Sequence, residues 1–333
     1  MLGKTISHYK ILEKIGLCPL NPMTALKRLI GICLTVATVL SPCLAEMRIT
    51  FIDAGQADAA VVQIMQPSAG PFTILVDGGD GNSDLEDNLP TILEDDSVIE
   101  LVVLSHPHRD HVGGLDWLVT ESDFQVDQVW WTEEFFSERN YLRLQLGVSQ
   151  SRNPATRPQE DTHTFTGFSN FSLRVLNNGQ EFAGKNGADI NNDSLVFQVI
   201  YEPTANVRIV ALFPGDIEED QGEMLVTQFG DDLKSDIVKV PHHGSDHVFD
   251  EFPEKVAADF AFVSSTGTHG TFKHPRKTAL DLYDQTAEIY CTCDEAMTQL
   301  DLVVTVSDAG QITVSPQQQP PYFVWEEING TLQ

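Results

Sequence analysis

"LVVLSHPHRDHVGG", running from Leu101 to Gly114, decides how this chain is read. Its apolar start, Leu101 to Leu104, has the length and β-branched content of a strand covered on both faces. His106, His108, Asp110 and His111 follow at once, then Gly113-Gly114 and the helix-like "LDWLV". In an extended turn His106 and His108 project to one side, while Asp110 and His111 swing towards a second point nearby. Three imidazoles and a carboxylate within six residues are a ligand set for a divalent ion, zinc first, with manganese or iron as alternatives. A solvated polar loop would not explain the scarcity of histidine elsewhere. Of ten histidines, eight fall at 106–111, 242–247 and 269–274.

Later strand ends supply further donors. In "LFPGDIEED", Asp216 follows an apolar strand and Gly215, a tight turn that places its carboxylate well for bridging two ions. "KVPHHGSDH" puts His242 and His243 at another strand end. Adjacent histidines cannot both point the same way, so one is expected to bind metal and the other to meet substrate or support the site; which is which stays open. "FKHPR" sets His274 between Lys273 and Arg276, a positive spot whose cations suit a phosphate.

Composition narrows the setting. The chain has 333 residues and a formal charge of −29, enough for one large or two small domains. Residues 23–45 read as a secretory signal peptide: Lys27-Arg28, an apolar run from Leu29 to Leu40, and Ala45 before an expected cut. Residues 1–22 resemble the entry to a protein-kinase first strand, but no glycine-rich loop follows, and they are read as an over-extended start or leftover. Residues 1–45 hold five Lys/Arg and one Glu, which leaves 15 basic against 48 acidic residues and a net of −33 for the rest. Such a surface disfavours nucleic acid as a partner. No stretch after Leu40 is apolar and long enough to cross a bilayer, and the expected location is secreted or periplasmic. Beyond the leader only Cys291 and Cys293 remain, with free thiols, a disulfide and an accessory metal site all open.

Over residues 46–316 a single hydrolase-sized domain is expected. "MRITFID", "AAVVQIM" and "FTILVDGG" read as a meander. Residues 84–95 are acidic and irregular, with room for a short helix. "VDQVWW" reads as a strand, "EEFFSERNYLRLQLG" as an amphipathic helix, and 149–168 as a long surface loop. "FSLRVLN", "SLVFQVIY" and "VRIVALFPGD" are strands, "IEEDQGEMLVTQFG" a helix, "SDIVKVPHHGS" a strand with a site loop, and "AADFAFVSS" a strand. "PRKTALDLYDQ" is a helix opened by proline at its first position, and "AEIYCTC", "LDLVVTV" and "QITVS" close the domain. Two β-rich halves flanked by helices imply an α/β fold, a four-layer αββα sandwich. Residues 317–333 are Gln/Pro-rich and expected to be a flexible tail.

"HPHRDH" is an HxHxDH motif, and on it the chain resembles the metallo-β-lactamase fold superfamily. Within that superfamily the chain looks most like the hydrolase domain of ComEC-type DNA-uptake proteins and their secreted relatives. The matching stretches are "DAGQADAA" (53–60), "LVDGG" (75–79), "SHPHRDHVGG" (105–114), "NNDSLVF" (191–197), "FPGD" (213–216), "VPHHGS" (240–245) and "FKHPR" (272–276). They cover Met47 to about Val314.

Residue by residue, the resemblance implies that His106 and His108 bind one metal, Asp110 and His111 the other, with Asp216 between them and the His242/His243 pair completing the second site. Asp77 would orient a ligand histidine, and Asp58 would lie near the site. Asn192 and Ser194 would stand in for the third histidine of many relatives, and His163 is the alternative. Departures are Ala57 for a glycine, Pro214 for a small hydroxyl residue, and Lys273 and Arg276 for Gly and Ser around His274.

Two ions about 3.5–4 Å apart would activate a water of pKa about 7. Asp110 or Asp216 would take its proton, and His274 would assist the leaving group. The expected function is thus a secreted metal-dependent phosphodiesterase or nuclease-like hydrolase. The alternatives are hydrolysis of a non-phosphate ester or amide (lactone, β-lactam) and a non-catalytic DNA-uptake component.

Overall fold

The computed structural model describes residues 46–66, 69–94, 96–132, 141, 144–145, 147–148, 155–179, 190–267, 272–293, 301–316, 327–328 and 331–332. Leu44–Gln333 form one compact unit. The expected leader, the residues before it, and most of the helix expected at 133–147 lie outside the described residues.

The first half opens with β1 (Glu46–Phe51), β2 (Ala60–Gln66) and β3 (Ala69–Val76), paired antiparallel as the meander their alternation predicts. Then come helix α1 (Asn82–Leu93), β4 (Val98–Ile99), β5 (Leu101–Val103), α2 (Arg109–Val112), α3 (Leu115–Thr120), β6 (Gln125–Val126) and β7 (Val129–Trp130). The stretch read as acidic and irregular is therefore a full helix. Leu85, Leu89 and Leu93 recur every fourth residue and are all buried, so one apolar stripe outweighs the acidic composition around it.

In the second half, β8 (Thr162–His163) lies inside the expected surface loop and pairs with β9 (Phe171–Asn177). Next are β10 (Val196–Thr204), β11 (Val207–Phe213), α4 (Glu219–Phe229), β12 (Ile237–Lys239), α5 (Glu251–Val256), β13 (Phe260–Val263), α6 (Lys277–Tyr283), β14 (Glu288–Cys291), β15 (Leu302–Ser307) and β16 (Ile312–Ser315). Helix α6 starts at Lys277 with Arg276 as its cap, so Pro275 precedes the helix instead of opening it. Within the tail expected to be flexible, Glu327–Ile328 pairs with Thr331–Leu332.

Two seven-stranded sheets result, ordered β16-β15-β1-β2-β3-β5-β7 and β14-β13-β12-β11-β10-β9-β8. Each is antiparallel on one side and parallel on the other: β3, β5 and β7 run parallel in the first, β11 to β14 in the second. Alternate residues divide between layers. Leu101 and Val103 of β5 face the core between the sheets, packed with Phe51, Phe197, Phe213 and Phe262. Val102 and Leu104 face outward, against α1 and α3 through Leu85, Leu89, Leu115 and Leu118. The second sheet's outer face packs likewise on α4, α5 and α6 through Leu225, Phe252, Val256 and Leu280. This is the αββα sandwich. A strand buried on both faces must be apolar throughout, which is why β5 reads as an unbroken run. Among the described residues no helix is long and apolar enough to cross a membrane.

The parallel strands place the polar cluster. Asp77, His106, Asp216, His243 and Ser264 all follow the carboxyl ends of β3, β5, β11, β12 and β13. Loops at that edge of an open α/β sheet are where ligands bind.

Candidate metal centre

The loop after β5 is held by backbone meeting backbone. The Gly113 N–H donates to Gly79 O (2.9 Å), Gly114 N–H to Gly78 O (2.9 Å), and Gly78 N–H to His111 O (2.6 Å). The two glycine pairs lie so close that a Cβ on Gly113 would sit 2.3 Å from the Asp80 carbonyl carbon. The "DGG" and "HVGG" stretches are thus one packing device. Asp58 N–H donates to Asp110 O (2.9 Å), which ties the 53–59 loop to the same unit.

On this frame the imidazoles are aimed from behind. Asp77, in the left-handed region at φ 58°, accepts from Ser105 N (2.7 Å), Ser105 Oγ (2.8 Å) and His111 Nδ1 (2.9 Å). Holding Nδ1 leaves His111 Nε2 facing Asp216 Oδ2 at 3.2 Å. Outer carboxylates on ligand histidines set the tautomer and raise basicity in this way. His106 Nε2 and His108 Nδ1 lie 3.0 Å apart and form a second pair of donors.

The loop after β12 is strained. His242 (φ 47°) and His243 (φ 53°) are consecutive left-handed residues, a conformation that costs of order 1–3 kcal/mol per side chain and clusters at functional sites. It sends the two rings apart. His243 Nδ1 donates to Ser264 O (3.0 Å), with its Nε2 towards Asp110 Oδ2 (3.3 Å) and Asp216 Oδ2 (3.5 Å). His242 Nδ1 turns to Glu218 Oε1 at 3.1 Å, and Asn191 Nδ2 donates to that carboxylate (2.8 Å). Of the pair, His243 joins the donor cluster.

Asp216 follows Gly215, where φ is +61° and a Cβ would meet Ser194 Oγ at 2.7 Å. Its own N–H donates to Ser194 Oγ (3.1 Å).

Asp58, His111, Asp216 and His243 bring donor atoms within 4.8 Å of one another, all four buried. Asp58 differs from the others. Its oxygens approach the Nδ1 atoms, His243 at 3.4 Å and His111 at 3.9 Å, on the side of each ring away from Asp216. The inward set is therefore His111 Nε2, His243 Nε2, Asp110 Oδ2 and Asp216. Among them His111 Nε2, His243 Nε2 and Asp216 Oδ1 are buried without a hydrogen-bond partner. The inward atoms face one another at 3.2–3.5 Å without a well-formed hydrogen bond, an arrangement of desolvated N and O atoms that costs free energy unless an ion takes them, so these residues fit a divalent cation.

Electrostatics separate the histidines. Burial, with His111 beside them, holds His106 well below and His108 below the usual imidazole range, so both are neutral and ready to ligate. Burial also disfavours charge on His111 and His243, but Asp216 and Asp77 hold His111 well above its usual value, and Asp216 and Asp58 push His243 up to about 10. Against burial, His111 and His243 hold Asp216 far down, and His243 and His111 lower Asp110. Burial raises Asp77 despite His111.

The remaining expected residues fall in three places. His274 is buried, and burial with His242, His243 and Arg276 nearby lowers it to about 4. Gln56 Nε2 lies 3.3 Å from its Nδ1. Exposed Lys273 and part-buried Arg276 flank it, and Arg276 Nε is buried without a partner. Asn192 caps α4, accepting from Glu218 N (2.9 Å) and Gln221 N (3.2 Å), and so faces the helix. His163 packs on Trp130 and reaches Gln159 O. Cys291 and Cys293 are disulfide-bonded.

Three residues at the site are not picked out by the sequence patterns: Glu218, Gln56 and Lys239. Lys239 does leave a visible signal, a lone lysine in the buried apolar run "DIVKV".

Residues 53–139 match the family model of the metallo-beta-lactamase superfamily. That segment carries His106, His108 and His111 but ends before His243. Comparison with curated protein sequences gave no match. Among solved structures, the chain is similar to Igni18, a metallo hydrolase from the archaeon Ignicoccus hospitalis, at 9% identity and TM-score 0.45, covering 77% of this chain and 98% of that one. It is also similar to the isothiocyanate hydrolase from Delia radicum gut bacteria (12%, TM-score 0.41, 73% and 96%) and the long form RNase Z from yeast (10%, TM-score 0.44, 80% and 41%).

Proposed function

We propose that this protein is a metal-dependent hydrolase acting on phosphodiester bonds of a small substrate, exported by the leader at 23–45. The reading rests on one observation: the Nε2 atoms of His111 and His243 converge with the carboxylates of Asp110 and Asp216 beside the neutral His106/His108 pair. His111, His243, Asp110 and Asp216 would hold one divalent ion, and His106, His108 and Asp216 a second, zinc first. Bound there, such ions lower the pKa of water to about 7 and neutralise charge on the attacked group.

The chain's own groups do the rest. Asp77 fixes the ring of His111, and Ser264 O fixes that of His243. Asp110, at the half-buried rim of the cluster, accepts the proton released by the attacking water at its carboxylate. His274 is neutral at pH 7, so it serves the leaving oxygen by donating a hydrogen bond from Nε2, with Nδ1 accepting from Gln56. Lys273 and Arg276, the latter with its unpaired Nε, support an anionic substrate. The acidic surface favours a small phosphodiester over long nucleic acid. Those cations favour phosphate over a lactone or β-lactam. The narrower resemblance to the ComEC-type branch is part of this proposal.

The test loads the chain with zinc or manganese and assays bis-p-nitrophenyl phosphate, single-stranded DNA, a lactone and nitrocefin, with Asp216→Ala and His108→Ala as controls. Phosphodiester turnover lost in both variants is the expected result. Turnover of nitrocefin or the lactone alone would overturn the phosphodiester assignment, and absence of bound metal would overturn the whole reading.

A further inference from the structure

Lys239 is the last residue of β12 and points into the layer between the sheets, 5% exposed. Ile237, two residues earlier on the same face, belongs to the apolar core there. A lysine replacing an apolar side chain at such a position costs several kcal/mol unless its ammonium is paired and hydrogen-bonded. Here it is both: Nζ lies 2.7 Å from Asp58 Oδ2 and donates to Val240 O at 2.8 Å. Lys239 and Asp58 line a cavity of about 20 Å³ together with Phe51 and Phe213, so the pair sits where the apolar core meets the site.

Asp58, in turn, stands behind both inward-facing imidazoles of the second ligand set, 3.4 Å from His243 Nδ1 and 3.9 Å from His111 Nδ1. The hydrogen bonds at these Nδ1 atoms run to Asp77 from His111 and to Ser264 O from His243, so Asp58 supports both rings by its charge. Asp77 meets the Nδ1 of His111 alone, whereas Asp58 meets the Nδ1 of both rings. Four carboxylates, Asp58, Asp77, Asp110 and Asp216, surround these histidines, and Lys239 brings a fixed positive charge to the one that serves both.

We infer that Lys239 is a positioning residue for the metal centre: its ammonium holds Asp58 behind His111 and His243, so that both rings keep Nε2 turned towards Asp216. This deepens the hydrolase reading and rests on it. The Lys239 ammonium is paired with Asp58 and Val240 O, behind the inward-facing donors. With Lys239 removed, Asp58 is a buried carboxylate without that ammonium. It is then free to rotate, and the two imidazoles lose a shared support. Outer partners of ligand histidines are worth about 10–100-fold in metal affinity.

The experiment compares zinc affinity, by chelator competition on the full chain, for wild type, Lys239→Met, Asp58→Asn and the double variant. Thermal unfolding of the metal-free proteins runs alongside, with Lys239→Gln as the second variant should Lys239→Met fail to fold. Cobalt spectra at saturation report the ligand geometry. Expected are a 10–100-fold loss of affinity in each single variant, an altered cobalt spectrum, and no further loss in the double, because both act through one support. Unchanged or tighter binding in the Lys239 variants overturns the inference, and so do losses that multiply in the double variant. Wild type that binds zinc while the Lys239 variants match it sinks this inference alone. Wild type that takes up no metal sinks the hydrolase reading and this inference with it.

Discussion

The loops after β5 and β12 both deliver histidines to one point, and they are built by opposite means. The first, 105–114, is relaxed: its short helix α2 has ordinary backbone geometry, and Gly113, Gly114 and the His111 carbonyl lock it onto Gly78 and Gly79 by three backbone hydrogen bonds. The second, 240–245, is strained, with two successive left-handed histidines. Where the side chains crowd four to a loop, the backbone is fixed by neighbours of minimal size. Where only one ring of two must enter the cluster, the chain twists to part them. Local strain of that kind persists only when the surroundings over-determine it, and here Glu218 and Ser264 hold the two rings from opposite sides.

The largest effect belongs to the residue both loops face. Asp216→Ala is expected to weaken metal binding by more than the 10–100-fold that an outer partner costs and to remove turnover; metal analysis after gel filtration checks it, and retained stoichiometric metal would refute it. Next is the outer support of the relaxed loop. Asp77→Asn should cost about 10–100-fold in zinc affinity, whereas His242→Asn, in the strained loop but outside the cluster, should leave zinc affinity within about threefold, well below an outer partner's worth. Equal losses in the two variants would erase the distinction drawn between the rings.

Protons give a third handle. In the metal-free protein His243 titrates at about 10 and His111 above its usual range. Their charged forms stabilise the metal-free fold below the ordinary imidazole pKa, and that stabilisation is lost as pH rises through about 10. A ligating imidazole must be neutral, so metal displaces these protons. Apparent affinity should therefore fall as pH drops from about 8 to about 6, by about tenfold per unit for each proton displaced. Calorimetry in buffers of different ionisation enthalpy should register the protons released. Affinity flat across that range would show that the histidines are already neutral.

Backbone changes come last. Gly113→Ala puts a Cβ into the Asp80 carbonyl and should destabilise by about 1–3 kcal/mol. His242→Gly relieves a left-handed side chain and should stabilise by about 0.5–1 kcal/mol. Urea unfolding of both variants tests the contrast. If Gly113→Ala is tolerated and His242→Gly destabilises, the roles of packing and strain in the two loops are reversed.

Much of this architecture is legible along the chain. Alternation in 46–76 reads as a meander because one face of each strand is buried against the other sheet. The unbroken run at Leu101–Leu104 reads as a covered strand because helices take its other face. Helix α1 is obscured, since acidic residues are interspersed along it while Leu85, Leu89 and Leu93, with Ile92 beside them, carry the stripe. The strand β8 is hidden in a polar stretch, since its pairing with β9 is a contact across sequence.

By itself the sequence determined which residue types gather at strand ends: histidines after β5 and β12, an aspartate after the glycine that ends β11. These are local patterns, set by period, turn chemistry and ligand spacing. Tertiary structure alone decided that His243 enters the cluster while His242 turns to Glu218, that Asp58 stands behind two rings, and that Lys239 faces Asp58 from the other sheet. Each of those depends on the direction of a side chain across the gap between two sheets, and residues distant in sequence meet there only once both sheets have closed.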